Sequence, residues 1–207
     1  MKTILSASFF SLAVTLCVAH TDALAASLHL NVTDVTGLPS IDTVVYAEAA
    51  NGQALPKQLH SVQIEQKSRK FLPAVTVIQT GTAVSFPNHD SVRHQVYSFS
   101  APKTFELKLY SGAGGDPIIF DKPGTVVVGC NIHDQMAAFI QVVDTPYFGK
   151  TDATGKVTID NMLPGKYQLK FWHPAMPATM AVQVQPVAIP NSDMTLPILL
   201  TFKTEKK

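Results

Sequence analysis

The run Cys130-Asn131-Ile132-His133-Asp134-Gln135-Met136 brings a thiol, an imidazole and a thioether together, directly after a strand-like segment. Copper is the common biological metal that accepts all three kinds of donor. Two histidines and one cysteine in a trigonal set, with a weak axial methionine, make an electron-transfer copper centre. The run lacks the second histidine, and His94 is the natural candidate to supply it. Zinc fits less well, because structural zinc prefers several cysteines or histidines and gains little from a thioether. No nucleophile–base pair, phosphate loop or carboxylate pair stands out, so hydrolase and transferase chemistry have no support. Oxidase or reductase chemistry would need a second, open metal site, which the remaining histidines do not assemble. The chain is expected not to be an enzyme.

Such donors need a rigid frame, and the sequence offers strands. Short period-two or β-branched runs recur with turn signals between them, among them Leu28 to Val32, Ala74 to Gln79, His94 to Phe99, Thr125 to Gly129 and Ala137 to Val143. No stretch keeps a 3.6-residue apolar period long enough for a long helix, so an all-β sandwich is expected. In that frame Cys130 ends one strand and Met136 opens the next, antiparallel one. The loop between them folds over the metal and turns His133 inward. His94 is expected to approach from a strand of the other sheet. Sulfur accommodates the reduced ion and imidazole serves both oxidation states, so a preorganised cage would let the couple cycle with little rearrangement.

The ends and the cysteine count bear on where this happens. Lys2, the apolar stretch Ile4 to Ala19 and Ala23-Leu24-Ala25 have the form of a signal peptide over residues 1–25. The apolar run is shorter than the roughly 20 residues that span a bilayer, so a periplasmic or otherwise exported chain without a membrane span is expected. Cys17 leaves with that segment, and the mature chain keeps one thiol, Cys130. In an oxidising compartment a single cysteine is intermolecular, reactive or occupied, and metal ligation is an occupation that protects it. A net charge of +1 gives no electrostatic case for nucleic acid or an anionic membrane surface.

Each donor also has an ordinary explanation: Cys130 as a small buried hydrophobe, His133 as a loop histidine, His94 as a strand-end histidine, Met136 as core filler. These explanations are correlated, since one true ligand makes the others far easier to accept. His89 stays open as a supporting donor, an alternative ligand or a solvated side chain. His29, His60 and His173 lack partners at metal spacing and read as structural, while Asn88 and Asp90 read as Asx-type organisers of the loop before His94.

The blocks VSFPNHDSVRHQVYSFS and VVVGCNIHDQM resemble the metal-binding ends of cupredoxins, and the Cys-x-x-His-x-x-Met loop is similar to the short loop of amicyanins. The stretch from about Phe71 to Phe148 resembles exported cupredoxin-like proteins often labelled methylamine utilisation proteins. This resemblance implies a Greek-key β-sandwich holding one type 1 copper through His94, Cys130, His133 and Met136, and a redox partner protein. Two departures stand out. Cupredoxins usually carry asparagine after the first histidine, where this chain has Gln95, which weakens the expected tie between the ligand loops. Amicyanin-type loops carry proline beside the histidine, where Asn131 and Asp134 stand here; a carboxylate at Asp134 near the imidazole edge favours Cu(II) and lowers the potential. Downstream, TDATGKVTIDNMLPGKYQLKFWHP resembles small transthyretin-like modules of carboxypeptidase regulatory domains, and VTDVTGLPSIDTVVYAEA faintly echoes it. The organisation expected is a signal peptide (1–25), a cupredoxin-like copper domain (26–144) and a small β-sandwich unit (145–207). The function expected is one-electron transfer. Its rivals are a copper carrier or storage protein without a redox partner, and a β-sandwich binding module with a vestigial metal site.

Overall fold

Alternation in β1 (Ala26–Thr33) sends Ala26, Leu28, Leu30 and Val32 to one buried face, as the period of a strand requires. β2 (Val44–Ala49) differs, because Val44 to Ala47 are all buried and both of its faces must be covered. The chain then runs through β3 (Val62–Gln63), β4 (Glu65–Lys67), β5 (Lys70–Leu72), β6 (Val75–Gln79), β7 (Ala83–Ser85) and β8 (His94–Ser100). β9 (Lys103–Tyr110), β10 (Ile118–Ile119), β11 (Gly124–Gly129) and β12 (Ala137–Val143) complete this central part. β13 (Phe148–Lys150), β14 (Lys156–Met162), β15 (Gly165–Trp172), β16 (Gln183–Ile189) and β17 (Met194–Leu199) follow. The computed structural model describes residues 25–177 and 179–204, and among them there is no helix. The all-β class is as expected. The signal segment lies outside the described residues, apart from Ala25.

The central part is a sandwich. A five-stranded sheet in the order β6-β12-β11-β8-β9 faces a small sheet, β10-β7-β3, and the hairpin β4-β5. Ile78, Val96, Val126, Val128, Ala138, Ile140 and Val142 from the large sheet meet Ile64, Phe71, Val84, Phe86 and Phe120 in one buried cluster. Cys130 and Met136 belong to the same cluster, at its end.

The first two strands are not part of this sandwich. β1 lies between β14 and β17, opposite Ile159 at Leu28 and parallel to β17. β2 lies between β13 and β15, in the order β13-β2-β15-β16. These two sheets close over Leu28, Leu30, Val45, Ala47, Leu169 and Phe171. The boundary expected at 26–144 is therefore corrected: residues 26–49 share sheets with 148–199, and the central sandwich is inserted between them. The faint echo between VTDVTGLPSIDTVVYAEA and TDATGKVTIDNMLPGKYQLKFWHP comes from two stretches of one unit. Pairing between strands so distant in the chain leaves no local signal, which is why spacing alone put β1 and β2 on the wrong side.

The second face of β2 explains its continuous burial. Val44 and Tyr46 join Trp172 against Val75 and Val143 in a seam between the two units. Phe139 and Trp172 meet there with ring centroids 5.9 Å apart.

Candidate metal centre

β11 and β12 pair antiparallel up to Gly129 opposite Ala137, which leaves Cys130 and Met136 facing each other across the loop mouth. The Cys130 N–H donates to the Met136 carbonyl at 3.1 Å, and the Met136 N–H donates to the His133 carbonyl at 2.9 Å. Backbone bonds thus fold residues 130–136 into a tight loop, whatever side chains it carries. On the neighbouring strand β8, a register shift between His94 and Val96 marks a bulge, a device that re-aims side chains at sheet ends. His94 points inward and is 0% exposed. Tyr97 lies against Gly129 so closely that an added Cβ there would stand 3.0 Å from its ring, so β8 and β11 approach tightly just before the cysteine.

These elements bring three donors together. Cys130 Sγ lies 3.7 Å from His94 Nδ1 and 4.0 Å from His133 Nδ1, and the three atoms lie within 4.8 Å of one another. Metal–sulfur and metal–nitrogen bonds of about 2.3 and 2.05 Å at a trigonal angle would separate sulfur from nitrogen by about 3.8 Å, close to both observed distances. The group can hold a metal ion. Met136 is buried to 1% exposure in the cluster that contains Cys130. All four residues named from the sequence therefore lie at one end of the central sandwich. One expectation is corrected: β8, which carries His94, is in the same five-stranded sheet as β11 and β12, beside β11. The register shift between His94 and Val96 lets a strand of the same sheet turn His94 inward.

The hydrogen bonds around His94 fix its chemistry. Its Nε2 lies 2.8 Å from Asp90 Oδ2. An ionised carboxylate only accepts, so Nε2 carries the proton and Nδ1 turns its lone pair toward Cys130. The Asp90 carboxyl also accepts the N–H groups of Ser68 at 2.6 Å and Arg69 at 2.9 Å. The Arg69 amide leads the causes, with His94 and Ser68 adding, that hold it below the usual carboxylate range. Asn88 organises the loop as expected: its Oδ1 accepts the Asp90 N–H, and its Nδ2 donates to the carbonyls of Val92 and Tyr110. Asp90 is the residue whose role the sequence reading underestimated. Its signal was the spacing of four to His94, a separation at which a carboxylate and an imidazole can meet across a tight loop.

Other residues divide as follows. Gln95 donates to Glu106 Oε1 on β9 at 2.6 Å, away from the ligand loop, in keeping with the weakened tie. His89 is exposed and stands apart from the three-donor group. His173 is held by the Ile41 carbonyl and the Ala175 N–H, and His29 lies 3.0 Å from the Thr158 hydroxyl; both are structural. Asp134 and Ile132 are exposed on the outer side of the loop, with His133 half-buried between them.

No protein-family model and no curated protein matches the sequence. Among solved structures the chain is similar to a copper-containing nitrite reductase from Thermus scotoductus SA-01, at 24% identity and a TM-score of 0.39. That match covers 55% of this chain and 28% of the reductase, so this chain spans under a third of its length. A purple cupredoxin from Nitrosopumilus maritimus is similar at 22% identity over 40% of this chain and 100% of its own, with a TM-score of 0.33. Amicyanin from Paracoccus versutus is similar at 15% identity over 47% of this chain and 98% of its own, with a TM-score of 0.37.

Proposed function

We propose that the chain is an exported one-electron carrier whose His94, Cys130, His133 and Met136 hold a single type 1 copper. The observation that carries this reading is the convergence of the Cys130 sulfur with the Nδ1 atoms of two histidines at 3.7 and 4.0 Å. A thiolate with two imidazoles and a nearby thioether is the donor set that suits copper over zinc or a hard cation. Bound there, copper supplies a Cu(I)/Cu(II) couple.

The residues do the rest. Cys130 gives the strongest electronic coupling, and Asp90 keeps His94 in the ligating tautomer. Loop backbone bonds and the buried cluster hold the donors still. His94, Cys130 and Met136 are buried, while His133 is half-buried, so its imidazole edge is the route by which an electron reaches a partner protein. A carrier or storage protein has to release its ion, and three buried donors oppose release. A catalyst needs an open coordination position for substrate, which four donors on one ion would not leave. The signal-like segment supports export.

The test is to load the metal-free chain with Cu(II) and record its visible spectrum and voltammetry, with Cys130→Ser as control. An intense sulfur-to-copper charge-transfer band and reversible one-electron waves, both lost in Cys130→Ser, are expected. Weak colour with readily exchanged copper would favour the carrier reading, and no copper uptake would leave a binding module.

A further inference from the structure

β4 and β5 form a hairpin with Lys67 opposite Lys70, so its loop is the two residues Ser68-Arg69. Both have positive φ, 55° and 57°. Positive φ at both positions is the mark of the turn that suits hairpin twist, and such turns strongly favour Asn-Gly. Serine and arginine are poor occupants of that conformation, so something outside the hairpin must hold it. Residues kept in left-handed backbone by their surroundings cluster at functional sites.

The holder is Asp90. Its Oδ1 accepts the Ser68 N–H, and its Oδ2 accepts both the Arg69 N–H and the His94 Nε2–H. The hairpin is also pinned to the same loop by Gln66 N–H to the Pro87 carbonyl and His89 N–H to the Gln66 carbonyl, each at 2.8 Å. Phe71 inserts into the central core at 1% exposure. The turn, the carboxylate and the first histidine donor thus form one connected set.

We propose that the Ser68-Arg69 turn is an outer-shell part of the metal centre, positioning His94 through Asp90, so that metal occupancy and the strained turn stabilise each other. This rests on the reading of His94, Cys130 and His133 as metal ligands. Partners behind a metal-bound histidine fix its ring and tautomer, and a coupling of this kind is reciprocal for binding free energies. The two turn amides supply what the carboxylate needs to sit squarely behind the ring. Asparagine at 90 cannot replace it: whichever way its amide turns, its NH2 group faces a donor, either a turn N–H or the imidazole N–H.

The test uses the full chain and Cu(I), which is diamagnetic. Amide exchange at Ser68 and Arg69 is followed by NMR with and without Cu(I), and Cu(I) affinity is measured for wild type, Asp90→Asn and the double variant Ser68→Asn with Arg69→Gly. Cu(I) is expected to slow exchange of both amides about tenfold or more, and Asp90→Asn to lose roughly 10–100-fold in affinity. The double variant keeps both N–H groups and relieves the backbone, so it should bind at least as tightly as wild type. Unchanged exchange at both amides on Cu(I) binding, or wild-type affinity in Asp90→Asn, overturns the proposal. The exchange comparison needs wild type alone, so it decides even if Asp90→Asn does not fold. A wild-type chain that takes up no Cu(I) overturns the ligand reading itself.

Discussion

Replacing Met136 by leucine separates packing from ligation. Met136 is 1% exposed and packs in the cluster with Cys130, Val128 and Ala138, while its backbone closes the ligand loop through His133 and Cys130. Those backbone bonds survive substitution. Leucine nearly conserves volume, so packing alone predicts a loss below about 1.5 kcal/mol in the metal-free protein. Alanine leaves a cavity and should cost about 2–5 kcal/mol. At about 2–4 °C per kcal/mol for a chain of this size, leucine lowers the metal-free midpoint by no more than about 6 °C and alanine by about 4–20 °C.

Ligation adds an observable that packing lacks. An axial donor tunes the balance between the two oxidation states, so removing it should shift the reduction potential and the charge-transfer bands. Calorimetry of the metal-free variants and voltammetry of their copper-loaded forms measure the two effects independently. If Met136→Leu keeps the wild-type spectrum and potential while alanine shows its full packing loss, Met136 is core and nothing more. If leucine in the metal-free state costs far more than about 1.5 kcal/mol, the packing argument is itself wrong.

Three further outcomes are expected. Trp172→Ala should cost about 3–5 kcal/mol and lower the urea midpoint for exposing Cys130 together with that of the whole chain, because Trp172 seals the seam against Phe139; a Cys130 midpoint left at its wild-type value would mean that the seam couples nothing. Gly155→Ala should lower the thermal midpoint by at least the equivalent of about 1–2 kcal/mol, since Gly155 has φ +74° and an added Cβ would stand 2.4 Å from the Val32 carbonyl oxygen. Asp34, buried in the turn after β1, is held at about 2 chiefly by the Thr36 hydroxyl, below the ordinary 3.8. A depressed carboxyl stabilises the fold above its unfolded value and loses that contribution as pH falls through its folded one. Asp34→Asn should therefore be less stable than wild type at pH 6, and the gap should close between pH 3.8 and about 2; a gap that is constant with pH would refute the charge argument.

The site was more legible than the architecture. Cys130, His133 and Met136 lie in one loop, and a thiol, an imidazole and a thioether at that spacing have few ordinary explanations, so the approach of Cys130 to His133 could be expected before any fold was known. His94 was legible as a partner, while its sheet was not, because a bulge that turns a side chain inward carries no residue signature. Strands with alternating burial, such as β1 and β15, could be read directly. The two-residue strand β10 could not, and the hairpin β4-β5 lacks a turn signal because Ser68-Arg69 stands where glycine or asparagine would announce it. From the sequence Asp90 reads only as an Asx-type loop organiser, since its larger role depends on amides from a turn more than twenty residues away.

The placement of the central sandwich as an insertion follows from where its ends lie. The chain leaves β2 and returns to β13, which pairs with β2 itself. Between them the Gln58 N–H donates to Gln79 Oε1, the Thr80 N–H to the Val143 carbonyl, and the Thr145 hydroxyl to the Ala47 carbonyl. Entry and exit therefore lie side by side, and a unit whose termini are adjacent can be accommodated without separating the host's strands. The exit follows Val143 at one end of β12, and the ligand loop precedes Ala137 at the other. Six steps of about 3.4 Å put these ends about 20 Å apart. The junction and the half-exposed edge of His133 are thus different regions of the molecule, which is why Trp172→Ala should weaken the fold and leave the spectrum of the copper-loaded protein unchanged.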